Sequence, residues 1–489
     1  MPDSATFALR RRWGPWAQGA VLALLPLLTV RSVADPSPWL HLKVGEFLRD
    51  GGRFGSPDPW APFAAHRYVP TQWLPSVVVA QGYDLFGLPT VLWARGVAVV
   101  ALVVALLWLT RTVSRPEVAV PVTVAAVAAA WGGLAERPQL AGFVLLVLAI
   151  GAWWRTGVDH RARWWLVPLT WVSACTHGVW VLGLVVGGLV VLGLGVDRAV
   201  PARTWGRLVA VLVVSFLAAG LTPIGPRLLL TPFQVGSNGR EFVSEWFPSS
   251  VRSPDVMLAL AMLALAYAAW LRLRERPATW QLLPFLAAIG FILTMQRTVA
   301  VGAFLAAPLL AGQVERLLAA RARAREVRAG TGHGSPAAPR PDRTSFALRR
   351  RELGCWAAGL VLACLVAIPL ADSRAGTVHA VPTALQQQLR VLPPHTRLVA
   401  DGDVTGWVLF TAPQVEPVFD LRIESYDAAY VKRYIAAMEA APGWEQFVAD
   451  GSTRAALLPA SSPLALALVE QLGWSVVGRG DGYQLLEAS

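Results

Sequence analysis

Asp35 closes the first apolar run of the chain, in the stretch "ADPSPWLHLKVGEFLRDGG" (34–52). A carboxylate at such a boundary can take a proton from an attacking hydroxyl as a general base, or it can ligate a divalent cation. It can equally be a loop charge that complements the positive end of a helix starting at Ser37 and Pro38. Asp58 stands in a proline-flanked turn, "GSPDPWAPF". It offers a second carboxylate for a cation or for orienting a hydroxyl; the plainer alternative is a turn aspartate. His41 either faces the same site as Asp35 or is a solvated side chain. His177 lies in "CTHG" (175–178), a polar break inside an apolar run. An ionisable group at that depth points to a site, against the alternative of a packing histidine bonded to a backbone carbonyl. Arg137 and Arg297 sit at short turns between apolar runs, and the guanidinium fork suits a phosphate. Glu245 and Trp246 join a carboxylate to an aromatic face, a combination that suits a sugar, although tryptophan is also a common interface anchor. The sequence has no P-loop, no G-x-S-x-G, no H-E-x-x-H and no cysteine pair spaced for zinc.

The elements that must hold these residues are set by composition. Of 489 residues, 55% are hydrophobic and only 15% charged, against roughly a quarter charged in a soluble domain. The mean hydropathy is +0.49. Such a chain is a polytopic α-helical membrane protein. Apolar stretches mark about 11 spans, near 15–33, 89–110, 118–134, 138–154, 163–176, 178–195, 207–223, 255–271, 279–295, 298–311 and 353–370. The first has a basic flank like a signal peptide, but many spans follow and no convincing cleavage site does, so it reads as a retained span. The net charge of +12 sits in arginine clusters at alternate ends of these runs. The positive-inside rule accounts for that pattern, and no nucleic-acid partner is implied. Placing every cluster in the cytoplasm puts the N-terminus inside and the C-terminal region outside. Asp35, Asp58, His177, Glu245, Arg137 and Arg297 then share the outer face. The three cysteines, Cys175, Cys355 and Cys364, lie within apolar runs and read as small buried hydrophobes.

Two soluble pieces follow. The first outer loop, 34–88, carries an amphipathic interfacial helix with an apolar face of Leu40, Val44, Phe47 and Leu48, capped by Ser37 with Pro38 in its first turn. "TQWLPSVVVAQGYDLFG" (71–87) can lie down beside it. A cytoplasmic linker is expected over 313–351, its Gly/Pro/Ala-rich part over 327–345. The transmembrane domain is thus 1–371, and residues 372–489 form a small extracytoplasmic α/β domain. "TRLVAD", "EPVFDL", "RAALLPA", "WSVVGRG" and "GYQLLE" read as its strands, and "PTALQQQLRVL" and "DAAYVKRYIAAMEAAPGWEQFV" as helical. Asp481-Gly482 between the last two strands is a hairpin turn rather than part of an adhesion tripeptide.

These pieces, in this order, resemble the GT-C-type polytopic membrane glycosyltransferases, and more narrowly a bacterial GT-C-like family. The likeness rests on "DPSPWLHLKVGEFLRDGGRFGSPDPW", "TQWLPSVVVAQGYDLFGLPTVLWAR", "ERPQL", "WVSACTHGVWVLG", "LTPIGPRLL", "VSEWFPSS" and "VFDLRIESY". The chain departs from the family pattern at Thr176 and Thr222, where asparagine is usual, at Leu421 in place of glycine, and after Arg297, where an asparagine is missing. The resemblance implies transfer of a sugar from a polyprenyl-phosphate-linked donor to a glycan, lipid or protein acceptor at the outer face of the plasma membrane, among membrane lipids. It implies Asp35 as base or metal ligand, with Asp58 as the second carboxylate and magnesium or manganese as the cation. Arg137, Arg297 and His177 would meet the donor phosphate, and His41, Glu245 and Trp246 the acceptor. The alternative is a non-catalytic scaffold or a lipid-glycan handling or transport protein; a transporter predicts internal repeats, and none is evident.

Overall fold

The computed structural model describes residues 4–231, 241–328, 350–379 and 381–489. A helix covers most of each apolar stretch named above. In chain order these are α1 (Ser4–Leu24) and α2 (Pro26–Thr29), the loop helices α3 (Ser37–Arg49) and α4 (Trp73–Phe86), then α5 (Pro89–Arg111), α6 (Pro116–Ala130), α7 (Pro138–Asp159), α8 (Leu166–Thr176), α9 (Trp180–Val196), α10 (Ala202–Ala219), α11 (Pro254–Leu273), α12 (Thr279–Thr294), α13 (Val299–Arg328) and α14 (Arg350–Arg374). Proline opens α5, α6, α7 and α11. Its missing N–H costs nothing in the first helical turn, and its fixed φ suits the helix. Among the described residues seven helices are long and apolar enough to cross a membrane, while 14–29, α8, α9 and α12 are shorter. Helices α10 and α14 expose Val213, Phe216, Leu217, Val361, Leu365 and Ile368. Water would not tolerate such continuous apolar faces, and lipid does. The chain is a multi-pass membrane protein.

Several boundaries differ from the sequence reading. The first span does not reach residue 33. Helix α2 stops at Thr29, and the following segment runs extended, with Val33 bridged in parallel to Val378. The His379 N–H donates to Val33 O at 3.0 Å. Asp35 is therefore carried on a pinned extended segment. Residues 313–328, expected as linker, continue α13 as helix, with Gln313 and Glu315 buried; the Gly/Pro/Ala-rich part falls largely outside the described residues. Helix α3 is not capped by the Ser37 hydroxyl. Instead Asp35 Oδ1 accepts from the Ser37 N–H at 2.8 Å. The buried side of α3 is Pro38, Trp39, Leu42, Val44 and Gly45, because it packs on protein as well as facing the interface. Phe47 turns to Trp60, with ring centroids 5.3 Å apart.

The C-terminal region folds as a five-stranded sheet, β1 (Arg397–Ala400), β2 (Glu416–Pro417), β3 (Ala455–Pro459), β4 (Ser475–Gly480) and β5 (Tyr483–Glu487), in the order β2-β1-β3-β5-β4. β1 is parallel to β2 and β3, and β5 is antiparallel to β3 and β4. Asp481 (φ 51°) and Gly482 (φ 79°) make the expected β4–β5 turn, the two left-handed residues of a tight hairpin. Helices α15 (Gln386–Arg390), α16 (Gly402–Thr411), α17 (Ala428–Met438), α18 (Trp444–Asp450) and α19 (Pro463–Leu472) flank it.

This region shares cores with the membrane part. One apolar cluster joins Val30, Val33, Trp39, Leu42, Val91 and Ala367 to Val404, Trp407, Leu398 and Leu457. A second joins Ala61 of the first loop to Val399, Phe419, Tyr426 and Leu486, with Phe63 packed against it. Helix α16 lies on α3 through Trp39 and Phe410. The first loop is thus clamped between membrane helices and C-terminal sheet, where the site residues gather.

Candidate active site

Four residues from four separate turns meet in one chain of charges. Arg137 immediately precedes α7, in extended backbone. Its Nε donates to Asp35 Oδ2 at 2.7 Å and its Nη1 to Glu245 Oε1 at 2.6 Å. The other oxygen of Glu245 lies 4.0 Å from Arg297 Nη1. Glu245 and Trp246 sit in the 3-10 turn Ser244–Trp246, and Arg297 in the 3-10 turn Gln296–Thr298. The Gln296 N–H ties those turns together through Phe247 O at 3.1 Å, and the Arg297 guanidinium lies 5.9 Å from the Trp246 ring centroid.

His177 ends α8 in extended backbone, at the break before α9. The break can pack this closely because α7 has Gly142 opposite; a Cβ there would lie 3.0 Å from His177 Cβ and 2.8 Å from Val179 Cγ2. His177 Nδ1 accepts from the Val179 N–H at 3.2 Å. In a neutral ring this hydrogen-bond pattern assigns the proton to Nε2. Nε2 lies 3.4 Å from Arg297 Nη2, so donor faces donor. An anionic oxygen between them would satisfy both.

His41 is on α3. Ser76 Oγ donates to Gln72 O at 2.8 Å and contacts His41 Nδ1 at 3.3 Å. That leaves His41 Nδ1 as the donor and Nε2 with a free lone pair. Burial first, opposed by Asp35 and reinforced by Arg137, brings the His41 ring down to about 4. It is neutral at physiological pH.

His41 and Arg137 also line a groove of about 100 Å³ between α3, α4, α5 and α7, otherwise mainly apolar, with Val79, Val91, Ala98 and Leu140 in its walls. Glu136 and Arg95 line it too; Glu136 Oε1 accepts from Arg31 Nε at 3.1 Å and pairs with Arg95 Nε at 3.0 Å. Glu136 Oε2 is buried without a partner.

Asp58 is not among this group. Its Oδ2 accepts from Arg422 Nη1 at 2.7 Å and its Oδ1 from Arg422 Nη2 at 3.0 Å. Oδ1 also accepts from the Trp60 and Ala61 N–H groups at 3.0 and 2.9 Å. Protein donors fill the carboxylate, which makes Asp58 a fastener of the loop to the C-terminal sheet. The oxygens of Asp35 are likewise engaged, by Ser37 N–H and Arg137. Among the described residues no three His, Cys, Asp or Glu side chains are grouped to hold a metal ion. Of the two carboxylates expected to hold a divalent cation, Asp35 alone lies at this site.

Two further carboxylates had no local signal in the sequence. Asp403 opens α16, where Asp401 accepts from its N–H at 3.2 Å. Burial first, then the charges of Asp401 and Asp35, push the Asp403 carboxyl above the usual range. Glu424 is exposed, and the protein packed around it raises its carboxyl above the usual range. Both come from the C-terminal sheet region, so only tertiary folding sets their surroundings. The buried Glu136 did carry a signal, as an acid at the end of an apolar run.

No family model and no curated protein matches the chain. Solved structures do. The oligosaccharyltransferase AglB from Archaeoglobus fulgidus, in complex with an inhibitory peptide and a dolichol-phosphate, superposes with a TM-score of 0.60 at 11% identity, over 93% of this chain and 70% of that one. ArnT from Cupriavidus metallidurans bound to undecaprenyl phosphate gives 0.54 at 18% identity, over 99% and 98%. The arabinofuranosyltransferase AftD from Mycobacteria gives 0.53 at 14% identity, over 98% and 42%. At these identities the likeness is one of fold, and that fold is GT-C.

Proposed function

We propose that this chain is a membrane glycosyltransferase that moves a sugar from a polyprenyl-phosphate-linked donor to an acceptor hydroxyl at the extracytoplasmic face. The observation that carries the reading is the Asp35–Arg137–Glu245 ion-pair chain at the mouth of the apolar groove. A carboxylate that can take a proton stands there beside a cation that can hold a phosphate. The groove is smaller than the roughly 300 Å³ of an ordinary small-molecule pocket. It suits the head-proximal end of a lipid whose tail lies in the bilayer.

In the proposed step the acceptor oxygen attacks the anomeric carbon as the bond from that carbon to the phosphate oxygen breaks. The hydroxyl proton passes to Asp35. The polyprenyl phosphate leaves with the electron pair, and the configuration inverts. Arg137 has an Nη2 edge to offer the phosphate, and Arg297 with His177 Nε2 offers the donor pair described above. Fixed donors aimed at the developing charge favour the transition state. No cation is needed for this balance, and none is assigned. Glu245 and Trp246, which lie against Arg137 and Arg297, are assigned to the acceptor, with His41 at the boundary between acceptor and lipid groove.

The test is reconstitution of the purified protein in liposomes with labelled polyprenyl-phosphate sugars. Asp35→Asn keeps the shape but loses the base, so transfer should fall roughly 10²–10⁴-fold while polyprenyl phosphate still binds. Equal transfer by wild type and Asp35→Asn would remove Asp35 from the mechanism. A wild type that transfers from no donor would leave a lipid-glycan handling protein instead.

A further inference from the structure

Asp35 and Arg137 lie on two short segments outside helices. Asp35 belongs to the extended stretch after α2, and Arg137 to the turn before α7. A single ion pair between such segments fixes one distance and leaves their orientation free. Among the described residues a second pair joins the same two segments: Arg31 Nε donates to Glu136 Oε1 at 3.1 Å. Each segment thus supplies one cation and one carboxylate. The Arg31–Glu136 pair runs opposite in polarity to the 2.7 Å pair of Asp35 with Arg137.

Helix α5 anchors this second pair. The Glu136 side chain is 0% exposed and that of Arg95 1%. Arg95 Nε lies 3.0 Å from the same Glu136 oxygen and donates to Leu134 O at 3.2 Å, while Arg95 Nη1 donates to Thr29 O. One buried guanidinium therefore holds the start of both segments. Thr29 Oγ1 donates to Gly96 O at 3.3 Å, and a Cβ on Gly96 would lie 2.5 Å from Val30 Cγ2, so α5 presses directly on the first segment. Arg31, in contrast, is 42% exposed. A buried ionic group of this kind adds little net stability, and a half-exposed arm such as Arg31 adds little more. What the arrangement does secure is alignment. A base and a phosphate-binding cation must keep their mutual placement, since an error near 1 Å can cost roughly 10²-fold in rate.

We propose that the Arg31–Glu136 pair sets the placement of Asp35 against Arg137, with Glu136 as the positioning residue and Arg31 as its link to the Asp35 segment. The pair acts through Asp35 rather than on the reacting atoms. This rests on the transferase reading above.

The test uses the full chain in liposomes, with the donor and acceptor that the wild type turns over best. Arg31→Gln removes the link while Glu136 keeps Arg95, so no buried charge is left bare. The kcat should fall roughly 10–100-fold, while acceptor KM, polyprenyl phosphate affinity and Tm change little. Arg31→Lys should restore most of the lost kcat, because the contact is a single N–O pair rather than a two-pronged one. In an Asp35→Asn background Arg31→Gln should lower kcat by less than about twofold further, since the residue it acts through is already gone. An unchanged kcat in Arg31→Gln overturns the proposal. So does a matching loss of Tm and donor affinity, or an undiminished effect in the Asp35→Asn background; the transferase reading survives all three. A wild type that transfers nothing overturns both.

Discussion

Arg137 sits where helix electrostatics disfavour it. At the start of α7 the dipole is positive, and a cation there costs roughly 0.3–1 kcal/mol. Two carboxylates offset the penalty, one on each side of the guanidinium. An arginine kept at a helix start between two carboxylates is placed for an anion, so Arg137→Lys is informative. A lysine cannot hold Asp35 and Glu245 in the same geometry. Its affinity for polyprenyl phosphate, measured by titration calorimetry, should fall about tenfold, as expected for the loss of one charge-assisted hydrogen bond; an unchanged affinity would take Arg137 out of the donor site. His41 makes a pH prediction. Its folded value is about 4, below the roughly 6.5 of an unfolded histidine. Between those values the unfolded chain binds more protons, so stability falls as the pH drops through that window and loses nothing more to this group below it. His41→Gln should flatten the fall in Tm between pH 6.5 and 4, and an unaltered slope would show that the ring is not buried as described. Asp35, Arg137, His177 and Arg297 stand out in the sequence as ionisable groups at the ends of, or breaks in, apolar runs, and His41 and Glu245 as groups of the outer loops. Partnerships do not: Arg422 is 364 positions from Asp58, and nothing in a proline-flanked turn announces a distant arginine.

Among the elements, the loop helices α3 and α4 decide whether the groove and His41 keep their shape. They cross at Gly45, where a Cβ would lie 2.2 Å from Ser76 O. That is a backbone atom in a helix and cannot step aside. Gly45→Ala should push α4 off α3 and break the His41–Ser76 contact, at a cost of about 1–3 kcal/mol. Thermal unfolding in detergent would read this as a lower Tm together with weaker polyprenyl phosphate binding; full retention of both would show that the helices separate freely. The sequence revealed these two helices, the five strands and the β4–β5 turn through apolar periodicity and turn residues, which act locally. It misled where the environment was three-dimensional. The apolar face of α3 was drawn for a membrane interface alone, but Trp39 and Leu42 are buried in a core shared with α16. The first span looked continuous to Val33 by hydropathy, yet pairing with Val378 draws its end into extended backbone.

Across the whole molecule, arginine clusters fall at alternate turns of the helical bundle. The turns that join α5 to α6, α7 to α8 and α9 to α10 carry arginine clusters, such as Arg198, Arg203 and Arg207. The opposite turns carry few arginines, and Arg137 and Arg297 there lie against Glu245. The positive-inside rule reads this as sites and C-terminal sheet outside, basic turns inside. The proposed transfer requires this sidedness, because its donor is lipid-borne and its acceptor lies outside. Thiol labelling can test it cleanly, because Cys175 and Cys355 are buried and Cys364 partly so. Glu470→Cys would sit on the exposed face of α19, and Arg203→Cys in the exposed first turn of α10. A membrane-impermeant maleimide should label Glu470→Cys in intact cells and Arg203→Cys only after permeabilisation. The inverse pattern would put the C-terminal sheet in the cytoplasm, and with it Asp35, because Val33 is bridged to Val378 at the foot of that sheet. An extracytoplasmic transfer would then be geometrically impossible, whatever the chemistry of the site.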